Sequence, residues 1–94
     1  MRLVYSQEAV ADLARLRAFI AEHDPAVAAR VAAELVARIN KLCLFPEMGR
    51  GIVQASIPDT VRDFAFGKYV ARYTAHDEAL VVLRIWHHLE NRTA

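Results

Sequence analysis

The sequence predicts an α+β domain of the order β-α-α-β-β-β, in which a helical hairpin packs on one face of a mainly antiparallel sheet. Three observations predict it. A strand-like segment opens the chain, two apolar stripes of helical period follow, and the last third is rich in β-branched and aromatic residues. Elements segregated along a chain in this way are typical of α+β domains. The 94 residues suit one domain over residues 1–94.

The first half of the chain carries start signals for two helices. After a short strand over residues 3–5, Ser6 is a good N-cap for a first helix that ends near His23. Asp24-Pro25 starts the second helix, because Asp caps and Pro loses no hydrogen bond at the first helical position. The apolar stripes are Ala9, Leu13, Leu16 and Ile20 in the first helix, and Val27, Val31, Leu35, Ile39 and Leu42 in the second. Asp12 falls largely off the first stripe.

The second half begins with a loop and continues as strands. Proline and two glycines between Phe45 and Gly51 break the helix, and a short strand is expected around Ile52–Val53. Gly67-Lys68 and residues 76–78 are turn signals, so the strands that they join should pair as an antiparallel meander. The predicted strands are Val61–Phe66, Tyr69–Thr74 and Leu80–Trp86.

Uninterrupted alternation divides the last strand into two faces. It places Leu80, Val82, Arg84 and Trp86 on one face and Val81, Leu83 and Ile85 on the other, and we expect the second set to face the helices. Arg84 and Trp86 then lie on the open face, where a partner would dock. The alternative roles are structural: Arg84 would pair with a carboxylate such as Asp63, and Trp86 would belong to the rim of the core.

Composition limits the classes of function. Lysine and arginine total 12 and aspartate and glutamate total 11, a net charge of +1 that gives no whole-chain case for binding nucleic acid. Cys43 is the only cysteine, so no internal disulfide forms and a reducing cytoplasm is the expected location. We find no signal peptide and no apolar run long enough to span a bilayer.

His87 and His88 are candidate acid–base residues, because histidine titrates near neutral pH. Adjacent side chains on an extended strand point to opposite faces, so the pair should not share one metal ion. The Cys and His spacings match no zinc motif. We expect neither a metal nor a cofactor, and a solvated or capping role is the simplest assignment for each histidine.

Four segments resemble the RelE/ParE superfamily of bacterial toxins. They are Leu3–Leu13 for the opening strand and first helix, Phe45–Arg50 for the proline–glycine loop, Phe66–Tyr73 for a strand pair, and Val81–Arg92 for the last strand and its arginine–aromatic–histidine ending. The resemblance implies the toxin half of a type II toxin–antitoxin pair. It also implies a cognate antitoxin that wraps an amphipathic or extended segment over apolar grooves of the toxin.

The resemblance leaves the target of the toxin open between two branches. ParE-like members poison DNA gyrase, whereas RelE-like members cut messenger RNA on the ribosome. The RelE-like pattern has an arginine early in the strand that starts at Tyr69, where this chain has Tyr69-Val70, and Glu90 falls about where a second arginine would be wanted. These departures favour a ParE-like gyrase poison, with target contacts expected from Arg84, Trp86, His87, His88 and Arg92.

For a ribonuclease, the candidate catalytic residues are His87, His88, Arg62, Arg72 and Arg84. A member that only binds antitoxin is a third hypothesis.

Overall fold

A computed structural model describes residues 1–51 and 61–88 of the chain. Two helices pack on a mixed five-stranded sheet whose strand order is β1-β5-β4-β3-β2, which confirms the predicted α+β class. The predicted strand around Ile52–Val53 lies outside the described residues, and a two-residue strand precedes it. The elements are β1 (Arg2–Tyr5), α1 (Gln7–His23), α2 (Pro25–Leu42), β2 (Arg50–Gly51), β3 (Val61–Phe66), β4 (Tyr69–His76) and β5 (Ala79–His87).

Both helices begin at the predicted caps. The Ser6 hydroxyl accepts the Ala9 N–H at 3.0 Å, which satisfies one of the backbone donors left open at the start of α1. The Asp24 carboxylate accepts the N–H groups of Ala26 and Val27, both at 3.2 Å, at the start of α2. The hairpin connection is therefore a single residue, because Asp24 ends one helix and caps the next.

The sheet is antiparallel except at one edge. β3, β4 and β5 form the predicted meander, and β1 adds to β5 in parallel. Gly67 in the first turn and Asp77 in the second have φ of 54° and 53°, a left-handed conformation that glycine adopts freely and aspartate tolerates. β1 is short, and it pairs with β5 only as far as Val82.

A β-bulge in β5 makes the predicted face assignment wrong for the residues before Arg84: Leu80 and Val82 face the core, and Val81 and Leu83 do not. Arg72 lies opposite Arg84 but Tyr73 lies opposite Val82, so Leu83 is an extra residue in the ladder. The extra residue shifts the alternation by one position. Leu80 and Val82 before the bulge and Ile85 after it are therefore all fully buried in the core, and Val81 and Leu83 are not.

The core lies between the hairpin and the sheet. Both predicted helical stripes contribute to it, although Leu13, Ile20, Val27 and Val31 are only half-buried. The large fully buried side chains from the sheet include Tyr73, whose hydroxyl is hydrogen-bonded. The core residues are Ala9, Leu16, Leu35, Ile39, Leu42, Ala71, Tyr73, Leu80, Val82 and Ile85.

Candidate functional site

A charged network joins α1 to the second half of β5. The Asp12 carboxylate accepts hydrogen bonds from Arg84 Nε at 2.9 Å and Nη2 at 3.1 Å, and from Arg15 Nη1 at 2.7 Å. It also accepts the Ile85 backbone N–H at 2.8 Å, while Arg15 Nη2 donates to the Ile85 carbonyl at 3.3 Å. The structure therefore gives Arg84 a carboxylate partner, as the structural alternative held, but that partner is Asp12 and not Asp63.

Asp12 is the residue that sequence reasoning missed. It was expected to lie largely off the apolar stripe of α1, yet its side chain is only 2% exposed. Burial alone would raise the pKa of Asp12, but hydrogen bonds from Arg84, from the Ile85 N–H and from Arg15 outweigh it and lower the pKa to about 2. The carboxylate is therefore ionised at neutral pH and fixes the guanidinium of Arg84.

A second ion pair lies on the face of the sheet away from the helices. Arg72 alternates with the buried residues Ala71 and Tyr73, and it donates to the two carboxylate oxygens of Asp63 at 2.8 and 3.0 Å. Its guanidinium carbon lies 5.1 Å from the ring centroid of Trp86, close enough for a cation–π contact. These hydrogen bonds raise the pKa of Arg72. Trp86 therefore occupies the predicted open face.

Arg62 and Tyr73 fix the loop that follows α2. Arg62 Nη1 donates to the Gly49 carbonyl at 2.8 Å and lies 3.4 Å from the Glu47 carbonyl. The Tyr73 hydroxyl donates to the Pro46 carbonyl at 2.6 Å and accepts the Gly49 N–H at 2.8 Å. Burial raises the pKa of Tyr73, although the hydrogen bond from Gly49 opposes the rise. Arg62 therefore serves the loop and is not grouped with the residues at the end of β5.

The two histidines at the end of β5 lie together. Their rings stack with centroids 4.9 Å apart, so the prediction that they point to opposite faces is wrong. The reason is local: β5 ends at His87, and the backbone turns at His88. The His88 N–H donates to the Lys68 carbonyl at 2.7 Å, which ties this end of β5 to the β3–β4 turn. His87 meets the ring of Tyr69 edge-on at 5.3 Å.

The end of β5 thus carries most of the predicted site residues, and each of them contacts a different part of the protein. Arg84 is held by Asp12, Trp86 lies beneath Arg72, and the two histidines stack beside Lys68. Arg92 lies outside the described residues. Within residues 1–51 and 61–88, no group of three or more His, Cys, Asp or Glu side chains is placed to hold a metal ion. No helix in these ranges is long and apolar enough to cross a membrane.

A family model described as the ParE toxin of the type II toxin–antitoxin system parDE matches residues 3–92. The chain belongs to the ParE toxin family. Two relatives in Caulobacter vibrioides carry the names Toxin RelE1 and Toxin RelE2. The first is 36% identical over 94 residues and the second 31% over 86, covering 96% and 92% of this chain and 96% and 93% of the relatives.

A solved structure supports the fold of this ParE family member. It is described as a chromosomal ParDE TA system from P. aeruginosa, with a TM-score of 0.76, 20% identity, and coverage of 93% of this chain and 95% of that chain. At this identity the likeness concerns the fold alone. Membership of the family makes the chain the toxin of a type II toxin–antitoxin system, with a cognate antitoxin as its partner.

Proposed function

We propose that this toxin inhibits DNA gyrase by binding the enzyme and trapping its complex with cleaved DNA. The observation that supports this proposal is that the three arginines that a ribonuclease would need already bind other groups of the toxin. Arg62 donates to loop carbonyls, Arg72 to Asp63 and Arg84 to Asp12. A ribonuclease requires cations directed at the developing charge of a phosphate, whereas a poison that acts by binding requires only a stable surface.

The second candidate is ribosome-dependent cleavage of messenger RNA. Two observations favour it: the Caulobacter vibrioides relatives carry RelE names, and the rings of His87 and His88 lie side by side at the end of β5. One imidazole would act as the base on the ribose hydroxyl and the other as the acid for the leaving oxygen. Against this candidate, the imidazoles stack closely on each other, and Arg72 and Arg84 already bind carboxylates.

The deciding experiment is a gyrase supercoiling assay with toxin freed from its antitoxin, scored also for cleaved DNA complexes. We expect loss of supercoiling, accumulation of cleaved complexes and reversal by antitoxin. The double variant His87→Ala/His88→Ala should weaken inhibition, because both side chains lie in the predicted contact region. His76→Ala is the matched control, since His76 is an exposed histidine at the end of β4, opposite the start of β5 and far along the strand from His87.

Each outcome separates the two candidates. Gyrase that keeps full activity at saturating toxin would refute the proposal. Cleavage of messenger RNA on purified translating ribosomes, abolished in His87→Ala/His88→Ala and retained in His76→Ala, would then establish the ribonuclease. Inhibition of gyrase with equal potency in all three proteins would keep the target but exclude the histidine pair from the contact.

A further inference from the structure

A row of charged residues crosses four strands of the sheet. The strand register places Arg50 of β2 opposite Asp63 of β3, and Asp63 opposite Arg72 of β4. Arg84 of β5 lies opposite Arg72. Directly opposed residues of antiparallel strands share a face, and Arg72 lies on the face away from the helices because its neighbours along β4 are buried. We call these four residues the charged row.

The charged row has the residue types of a surface that binds single-stranded nucleic acid. Such surfaces combine cations that follow the phosphate backbone with aromatic rings on which bases stack. Three of the four residues are arginines, and neighbouring strands lie about 4.8 Å apart, so the row spans about 14 Å. Trp86 supplies an aromatic ring beside it, 5.1 Å from the guanidinium carbon of Arg72. The single carboxylate within the row, that of Asp63, is the residue that does not fit this use.

The two carboxylates that neutralise arginines of the row differ in what else they bind. Asp12 holds Arg84, but it is buried and also accepts the Ile85 backbone N–H, so it belongs to the contact between α1 and β5. Asp63 is 26% exposed, and among residues 1–51 and 61–88 its carboxylate accepts hydrogen bonds from Arg72 alone. The Arg72 Nε and Nη2 groups meet its two oxygens at 2.8 and 3.0 Å. Arginine binds a phosphate through the same paired geometry, so Asp63 occupies the position that a phosphate would take.

We propose that Asp63 is a specificity-determining residue that keeps single-stranded RNA off the open face of the sheet. Its carboxylate fills both donor positions of Arg72, and its negative charge repels a phosphate from the middle of the charged row. The paired Arg72 also stays over Trp86, where it covers the ring on which a base would stack. Without the charge of Asp63, Arg72 joins the exposed Arg50 as a phosphate contact.

The test is the binding of a dye-labelled single-stranded RNA of about 10 nucleotides, measured by fluorescence anisotropy at low salt. Asp63→Asn keeps the size of the side chain and removes its charge, so it should bind the RNA about tenfold more tightly than the wild type, because it gains one phosphate contact. The matched control is Asp77→Asn, which removes the same charge from a side chain that is 84% exposed in the β4–β5 turn, where asparagine tolerates the positive φ. The control should change affinity by less than about threefold, because salt screens an exposed charge at a distance.

Two further measurements distinguish a new phosphate contact from a general change in charge. The slope of log affinity against log salt concentration should be steeper for Asp63→Asn by about 0.7, the contribution of one phosphate on a single strand. Trp86 is the only tryptophan of the chain, and RNA should quench its emission in Asp63→Asn because a base stacks on the uncovered ring. The double variant Asp63→Asn/Arg72→Ala should lose the gain in affinity, since Arg72 supplies the added contact.

Equal RNA affinity of Asp63→Asn and the wild type, or equal gains in Asp63→Asn and Asp77→Asn, would overturn the role of Asp63. A gain that persists in Asp63→Asn/Arg72→Ala would overturn the role of Arg72. Melting by circular dichroism checks that each variant is folded, and Asp63→Thr, whose side chain suits a strand, is a second uncharged variant that should show the same gain. The inference does not depend on the gyrase target, because RNA binding and DNA supercoiling are separate measurements and either proposal can fail alone.

Discussion

Replacing Asp12 by alanine should destabilise the toxin by about 2–4 kcal/mol. The change leaves the Ile85 N–H without its acceptor, which costs about 1–3 kcal/mol for a buried group. It also takes the carboxylate from Arg84 and Arg15. Breaking a fully buried pair costs about 3–5 kcal/mol, but these arginines are 36% and 40% exposed, so water recovers part of that loss.

Urea unfolding of purified toxin, followed by far-ultraviolet circular dichroism at neutral pH, measures this difference. Glu22→Ala is the matched control, because Glu22 is an exposed carboxylate on the same helix and its loss should change stability by less than about 0.5 kcal/mol. If Asp12→Ala unfolds within about 0.5 kcal/mol of the wild type, the carboxylate does not hold α1 against β5 and the reasoning is refuted.

The pH dependence gives a second measurement on the same residue. The folded pKa of Asp12 is lowered to about 2 from an ordinary 3.8, so ionisation favours the folded state by about 2 kcal/mol at neutral pH. A lowered folded pKa means that this contribution is present above about pH 4 and is lost as pH falls through about 2. Asp12→Asn, which does not titrate, should lack this part of the acid dependence. If the unfolding free energies of Asp12→Asn and wild type changed equally with pH, the lowered pKa of Asp12 would be contradicted.

Two further substitutions test the other contacts of the sheet. Tyr73→Phe removes the hydroxyl that bridges backbone groups of the loop 44–49, so it should cost about 1–3 kcal/mol in urea unfolding; an unchanged midpoint would show that the loop does not need this bridge. Arg72→Lys loses the planar pair with Asp63 and the contact over Trp86, so it should shift tryptophan emission to longer wavelength and cost about 1 kcal/mol. Unchanged emission would indicate that the guanidinium does not shield the indole.

The parts of the fold that depend on local chemistry were predictable from the sequence. Ser6 and Asp24 cap helices through hydrogen bonds to residues two or three positions away, and Gly67 marks its own turn. Because these interactions join residues that are close in the sequence, the sequence pattern predicts the helices and the β3–β4 hairpin. The positions of the strands in the last third are predictable for the same reason, since turn residues close in the sequence separate them.

The arrangement at the end of β5 was not predictable in this way. The bulge at Leu83 depends on which residues of β4 and β5 pair, and nothing within β5 alone marks it. The burial of Asp12 depends on contacts with Arg84 and Ile85, more than 70 residues away. One signal was available: a single carboxylate placed between apolar positions of α1 suggests a buried acceptor, if the later strand supplies donors.

The coverage of β5 by α1 has a consequence for the free toxin. β1 pairs with β5 from Ala79 to Val82 and does not extend beside residues 83–87. Side chains of α1 and its N-cap occupy that edge of β5: Ser6 Oγ donates to the Leu83 carbonyl at 2.8 Å, and Asp12 and Arg15 bond both backbone groups of Ile85. An unpaired strand edge is a template on which another copy adds and aggregates. Because α1 covers this edge of β5, a strand of a second toxin molecule cannot pair along Leu83–Ile85 when the toxin is free of its antitoxin.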